Sequence, residues 1–450
     1  MARRSHGRAL GVWTNGLLVG HWRIPARGPM QFQYDPEWVR SSAARPLSLS
    51  LPMNQDDAPL SGNQVGDYFD NLLPDSAAIR KRLQARFHTR SDDAFDLLEA
   101  IGRDCVGAVQ LLREDQRPED IFTIQAEPME EPAIERLLLG AVTGATFGNL
   151  GTEDDDNLRI SIAGAQEKTA LTWHEGTWCR PHGATPTTHI FKLPLGLVGN
   201  RQADMRTSVE NEWLCGQILA AYDVPVAPSR IARFGTQKVL IVERFDRQLH
   251  PSGKYWLRLP QEDFCQATGT PADSKYESDG GPGLIEIAAI LQGSEARDAD
   301  LATLMRAQLL FWLLAAIDGH AKNFSLRLLP GGRYRLTPLY DVLSAWPAVG
   351  RGANQLDRKR LKLAMALRGK GVHYRLQEIL RRHFNETANR CGLGHDMESI
   401  IGDVLARTPG VIERVGDNLP AEFPADVFNA VTSGLKDAAR KLAAMPADQG

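Results

Sequence analysis

The sequence predicts an α+β protein of two lobes, a β-rich lobe with a smaller N-terminal subdomain before it and a helical lobe after it. Three observations carry this. Strand-like stretches with a single intervening helix fill residues 158 to 248. A long apolar helix at Leu301–Ile317 and a mostly helical segment from Gln377 to Leu442 follow them. The 450 residues are also too many for one ordinary core, and 43% hydrophobic with 24% charged residues is a globular composition.

Taken in order, residues 9 to 24 alternate apolar and small or polar types on both sides of Asn15-Gly16, a pair suited to the positive φ angles of a type I′ turn, so a β-hairpin is expected. Met30, Phe32 and Tyr34, then Leu47, Leu49 and Leu51, repeat the period of two and predict further strands. Helical spacing predicts Ala77–Phe87 and Asp93–Ile101 as helices. Between residues 112 and 135 charge rises and prolines recur, which sets a boundary and divides the chain into 1–130, 131–248 and 249–450. Within the second unit the stretches RISI, TALTWH, THIFKLP and KVLIVERF read as strands. Ser208–Tyr222 reads as an amphipathic helix carrying Trp213, Leu214, Ile218 and Leu219 on one face.

Composition excludes several function classes. A net charge of -3 argues against binding polyanions along the whole chain and leaves only a local basic patch for that purpose. Five scattered cysteines without C-x-x-C spacing suggest neither a disulfide framework nor zinc, and fit a reducing cytoplasm. The basic start MARRSHGR lacks the apolar stretch of a signal peptide. Leu309–Ile317 falls far short of the roughly 20 residues that span a bilayer, so no membrane association is expected.

The chemistry concentrates after the buried helix. Asp318 and Asn323 stand five positions apart, the D-x-x-x-x-N spacing of protein-kinase catalytic loops. Phosphoryl transfer needs a carboxylate to take the proton of the attacking hydroxyl and, one short loop away, a neutral oxygen to hold magnesium. Gly319 and Asn323 equally suit a plain helix stop. Asp341, 18 residues beyond Asn323 at the end of a strand-like run through Tyr340, can supply the main magnesium carboxylate, although D-V-L stands where kinases carry D-F-G. It could instead cap a helix starting at Val342. Lys192, inside the apolar stretch HIFKL, could reach phosphates or could snorkel at a sheet edge. Its partner carboxylate would be Glu210 or Glu212, of which only one can face the site; Glu212 is favoured. Small residues from Ser161 to Lys168 suit a phosphate-cradling loop or a hairpin turn.

The series SIAGAQEKTAL, TPTTHIFKLP, ENEW, VERFDR, RLPQEDFCQ, KYESDGGPG, DGHAKNFS and RLTPLYDVLSAWP resembles the HipA family of bacterial toxin kinases. NLLPDSAAIRKRL and AIGRDCVGAVQLL resemble that family's N-terminal subdomain, and LKLAMALRGKGVHY its C-terminal lobe. The resemblance implies a bilobed, protein-kinase-like serine/threonine kinase that uses ATP and Mg2+. Asp318 would be the base, Lys322 would steady the transferring group, and Asn323 and Asp341 would hold the metal. Ala163, Gly164, Ala165, Gln166, Glu167 and Lys168 would form the phosphate loop. Lys192, His320 and Tyr340 would contact nucleotide, and Glu243, Arg244 and Phe245 would form the adenine hinge. Ser161 would be an autophosphorylation site, where added charge repels ATP. The implied partners are a HipB-like helix-turn-helix antitoxin, operator DNA through that complex, and a protein substrate, of which glutamyl-tRNA synthetase is the family's best known. A second reading, a DNA-associated corepressor with secondary or lost kinase activity, rests on Arg358, Lys359, Arg360, Lys362, Arg368 and Lys370. A third acceptor class, lipid or small molecule, is left open by phosphoryl transfer itself.

Overall fold

The computed structural model describes residues 7–53, 58–143, 166–199, 202–394 and 397–447. The N-terminal hairpin forms as its turn chemistry dictates: β1 (Arg8–Thr14) pairs antiparallel with β2 (Leu17–Ile24), with Asn15 at φ 46° and Gly16 at φ 83° between them. β3 (Gln31–Tyr34) and β4 (Leu60–Ser61) extend the sheet beyond β2, and β5 (Gln110–Arg113) closes the other edge against β1. The helices Asn63–Asp70 and Ala94–Ile101 bury Phe69, Leu97 and Leu98 with Leu10, Val12, Trp22 and Phe32 of the sheet. Trp22 and Phe69 stack with ring centroids 4.0 Å apart.

One expectation fails here. The alternation Leu47, Leu49, Leu51 makes a turn with only a Ser48–Leu51 bridge, and no strand. The polar groups that would pair with a neighbouring strand are spent on one buried side chain: Leu49 N donates to Glu262 Oε1 at 3.0 Å, and Ser48 Oγ donates to Glu262 Oε2.

The second sheet is antiparallel, built from β6 (Ala126–Pro128), β7 (Lys168–His174), β8 (Thr177–Pro181), β9 (His189–Lys192), and, after the side hairpin β10 (Gly196–Val198) and β11 (Ala203–Met205), β12 (Ser229–Phe234) and β13 (Gln237–Glu243). The strand order is β12-β13-β9-β7-β8-β6. The helix Glu131–Thr143 lays Ile134 and Leu138 on Leu171, Phe191 and Ile241. The expected strand RISI at 159–162 lies outside the described residues.

The helix Ser208–Ala221 lies beside this sheet, yet Leu214, Ile218 and Leu219 are continuous with the largest core, which gathers around the helix Arg297–Leu314. That helix ends three residues before the expected Ile317, because Ala315 turns to φ 48° and its N–H closes the last turn on Phe311 and Trp312 carbonyls. Helices Arg381–Arg390, Glu398–Asp417 and Ala425–Ala443 complete the lobe. A three-stranded sheet, Gln261–Asp263, Ser325–Leu328 and Tyr334–Leu336, carries the loop from residue 318 to 323 on its edge. All five cysteines are buried free thiols. Among the described residues no helix is long and apolar enough to cross a membrane.

Candidate active site

Antiparallel pairing of β7 and β9 sets Lys168 directly opposite Lys192. Cross-strand partners share a face of the sheet, so both lysine stems start toward the same side. Lys192 reaches two carboxylates: its Nζ is 2.6 Å from Glu212 Oε1 and 2.9 Å from Asp341 Oδ1. Glu212, rather than Glu210, therefore faces the cleft, since Glu210 accepts from Lys238 on β13. Burial alone would depress Lys192, but Asp341 and Glu212 outweigh it and hold the ammonium above its usual range. Lys168 has no such excess of negative charge, and burial with repulsion from Lys192 pushes it down to about 8.

Asp341 sits at φ 62°, a left-handed conformation that Asp tolerates at a cost of about 1–2 kcal/mol. No helix starts at Val342, so Asp341 is not a helix cap. The turn instead aims the carboxylate into the cleft, where Oδ2 lies 3.3 Å from Asn323 Nδ2. Burial alone would raise Asp341; Lys192 and Lys168 overcome this and hold it well below the carboxylate range. The strand expected to run up to this residue stops at Leu336, interrupted by Thr337-Pro338.

Asp318, Gly319 and His320 cross from the helix to the 3-10 turn Ala321–Asn323. Asn323 Oδ1 accepts the His320 N–H at 3.1 Å, which fixes the turn. Water reaches Asp318, but the carboxylate lies on a crowded cleft floor. Desolvation there raises it, against the donation of the Tyr276 hydroxyl, which is 2.5 Å from Oδ1. The Tyr276 ring meets His320 edge-on at 5.0 Å. Burial, then Lys275, pushes His320 down to about 3, so the imidazole is neutral, and its buried Nδ1 has no hydrogen-bond partner among the described residues. The Asp341 carboxylate offers hard oxygen to a cation, while Asn323 turns its Nδ2 to that carboxylate and its Oδ1 to the His320 N–H, so the amide oxygen would join a metal through its second lone pair or by an amide flip.

Other expected residues are placed differently. Lys322 spends its three N–H groups on Asn71 O at 3.1 Å, Asn71 Oδ1 at 2.6 Å and Asp263 Oδ2 at 3.0 Å. It is a tie between segments, with no donor left over for a phosphoryl oxygen. Tyr340 is equally structural in its hydroxyl, which donates to Lys322 O at 2.8 Å, while its ring lies 5.8 Å from Phe245. Glu243 ends β13 and is exposed. The Arg244 side chain is buried away in a cluster with Asp246 at 2.8 Å and Asp104 at 3.3 Å, joined by Arg247 and Arg258. Only the backbone of 243–245 is thus available as a hinge. Gln166 bonds Leu193 O at 2.5 Å and Glu167 pairs with Arg82, so this end of the phosphate loop is anchored within its own lobe and to the N-terminal subdomain. Ser161, Ala163, Gly164 and Ala165 lie outside the described residues.

Of the basic run, Arg368 pairs with Glu277 and Arg358 stacks 5.2 Å over Trp346, while Arg358, Lys359, Arg360, Lys362 and Lys370 remain exposed. A cavity of about 600 Å³ over the N-terminal sheet, lined by Trp13, His21 and Arg103, contains none of these residues. Tyr276, Lys275, Asn71, Asp75 and Asp263 had no spacing signal in the sequence; their contacts to the loop span 42 to 251 residues.

Residues 10–112 match the HipA N-terminal domain and residues 160–412 the HipA-like C-terminal domain. The chain is 34% identical over 363 residues to a putative kinase, Y4mE, of Sinorhizobium fredii, covering 79% of this chain and 82% of the relative. It is 28% identical to the serine/threonine-protein kinase toxin HipA of Shewanella oneidensis, covering 73% of each chain. The fold superposes with a TM-score of 0.75 on HipA in the Shewanella oneidensis complex of HipA, HipB and operator DNA, at 21% identity over 97% of this chain and 98% of that one.

Proposed function

Because the chain belongs to the HipA family, we propose that it is a toxin-type serine/threonine-protein kinase that transfers the γ-phosphate of ATP, with magnesium, to a serine of a target protein. The observation that carries this reading is the Lys192 ammonium held between Glu212 and Asp341, because it places a cation, an acid partner and a hard-cation ligand in one cleft. Asp318 takes the proton of the acceptor hydroxyl; its raised carboxyl is better matched to that task than an ordinary aspartate. Lys192 and Lys168 hold phosphate oxygens, and neutral His320 offers Nδ1 to the same ligand. The backbone of Glu243 to Phe245 holds the adenine. Asn323 and Asp341 would hold magnesium, which when bound neutralises phosphate charge.

Ala163 to Lys168 serve as the phosphate loop, and phosphate on Ser161 silences the enzyme by repelling nucleotide. By extension from the Shewanella oneidensis complex, the partner is a HipB-like antitoxin, and operator DNA is reached through it. Glutamyl-tRNA synthetase is the first target to try. The five exposed cations Arg358, Lys359, Arg360, Lys362 and Lys370 support a second reading, a corepressor contact with DNA. The test is incubation of purified protein with γ-labelled ATP and magnesium. Labelling lost in Asp318→Ala is expected, whereas undiminished labelling in that variant removes Asp318 from the mechanism.

A further inference from the structure

We infer that Asn71 and Asp75, outside both kinase lobes, are positioning residues that hold the two ends of the catalytic loop, Asp318 at one and Lys322 at the other. The inference rests on the kinase reading above. Both residues lie on the connection between the helices Asn63–Asp70 and Ala77–Phe87 of the N-terminal subdomain.

Asn71 is 1% exposed and uses its whole amide. Nδ2 donates to Asp67 O at 2.8 Å and Thr270 O at 2.9 Å, which locks the ring of contacts so that Oδ1 can only face Lys322 Nζ, 2.6 Å away. The residue after Lys322 is Asn323, so this tie fixes the far end of the loop. At the near end, Asp75 Oδ2 takes Lys275 Nζ at 2.8 Å. Lys275 is bound to the loop by its own carbonyl, which accepts from Ala321 N at 3.4 Å, and its neighbour Tyr276 donates to Asp318 at 2.5 Å. The second oxygen, Asp75 Oδ1, is 3.9 Å from Lys322 Nζ and has no hydrogen-bond partner among the described residues. One carboxylate thus sits between the two lysines that flank the loop.

The loop needs such holding from outside. Its parent helix has already ended at Leu314, and the 3-10 turn Ala321–Asn323 is a single turn with little rigidity of its own. Lys275 and Lys322 are also mostly buried, with 16% and 4% side-chain exposure, and a buried ammonium without a counter-charge would leave its site or lose its proton. Asp75, held below the usual carboxylate range because Lys322 and Lys275 outweigh the effect of burial, supplies the charge at Lys275 and adds to that of Asp263, 3.0 Å away, at Lys322.

Simple docking of the subdomain would make the same contacts, but it predicts a different outcome. The full chain is assayed for phosphate incorporation from γ-labelled ATP with magnesium, as maximal rate and half-saturating ATP, alongside its thermal unfolding. Asp75→Asn and Asn71→Ala are expected to lower the maximal rate about tenfold to a hundredfold, with half-saturating ATP changed by no more than about twofold. Asp75→Glu is expected to regain most of the rate. Asp75→Asn combined with Lys275→Met is expected to be no slower than Lys275→Met alone, because both break one connection. Lower melting temperature with an unchanged rate, or additive losses in the double variant, overturns the inference. If Asn71→Ala does not fold, the Asp75 and Lys275 variants decide alone. A wild-type protein with neither labelling nor magnesium-dependent ATP turnover overturns the kinase reading, and this inference with it.

Discussion

The hydroxyl of Tyr276 lies 2.5 Å from Oδ1 of Asp318, where it donates a hydrogen bond to the carboxylate proposed as the base. Desolvation raises Asp318 and this donation opposes the rise, since a donor favours the ionised form. Tyr276→Phe removes only the opposing effect. A base must be ionised to act, so the acid limb of the pH–rate profile is expected to move to higher pH. An unmoved limb would show that Asp318 is not the group titrating in that limb.

Lys192 is the sole cation hydrogen-bonded to both Glu212 and Asp341 in the described structure. Lys192→Met should abolish phosphate transfer and also destabilise the fold by a few kcal/mol, because it leaves carboxylates in the cleft without their ammonium. Replacing Glu212 with Leu in that background should recover part of the stability and none of the activity. Urea unfolding and labelling, measured on the same samples, separate the two effects.

Glu262 is fully buried, without an ion-pair partner among the described residues, and desolvation pushes it up to about 8. A carboxyl raised in the folded state favours folding below its unfolded value near 4.5 and loses that contribution as pH rises to 8. His189, pushed down to about 4, and His320, pushed down to about 3, act in the opposite sense below pH 6.5. The urea midpoint should therefore fall from pH 6.5 upward in the wild type and flatten in Glu262→Gln, until near pH 8 Lys168, pushed down to about 8, begins to lose its proton in the folded state and opposes the fall. An equally steep fall in the variant would assign the effect elsewhere.

Asp104 accepts from Arg244, Arg247 and Arg258, each nearly inaccessible to solvent. Burial alone would raise it, but Arg258, Arg247 and Arg244 hold it well below its usual range. Asp104→Asn leaves three guanidinium groups with only Asp246 to compensate them, at a cost of about 3–5 kcal/mol. Because this cluster joins the N-terminal subdomain to the hinge, proteolysis at the subdomain boundary should quicken as well. Unchanged resistance would mean that the apolar contacts alone hold the interface.

Local chemistry made part of this legible beforehand. Asn15-Gly16 dictates its own turn, and Ala77–Phe87 runs between a Ser76 cap and a left-handed His88, both local signals. The pairing of Lys192 with Glu212 could be anticipated because only 20 residues separate them. The period of two at Leu47–Leu51 misled because apolar alternation does not by itself make a strand: the turn wrapped on Glu262 buries Ser48 as fully as Leu51 and leaves Leu49 half-buried. β8 and β12 escaped notice, the first short and carrying an arginine, the second mixing arginines with its apolar residues. The family resemblance implies that Lys322 steadies the transferring group, but its partners Asn71 and Asp263 are 251 and 59 residues away, and no local pattern encodes such a contact.

The rung that sets Lys168 opposite Lys192 has a mechanical consequence. Two like charges on neighbouring strands push their sheet apart, so β7 and β9 are held together against a standing repulsion. A polyphosphate lying between the ammonium groups would turn that repulsion into attraction, acting as a clasp on the sheet. Nucleotide occupancy should then slow amide hydrogen exchange along 168–174 and 189–192, including positions the ligand never touches, and the sheet itself becomes a gauge of whether the cleft is filled.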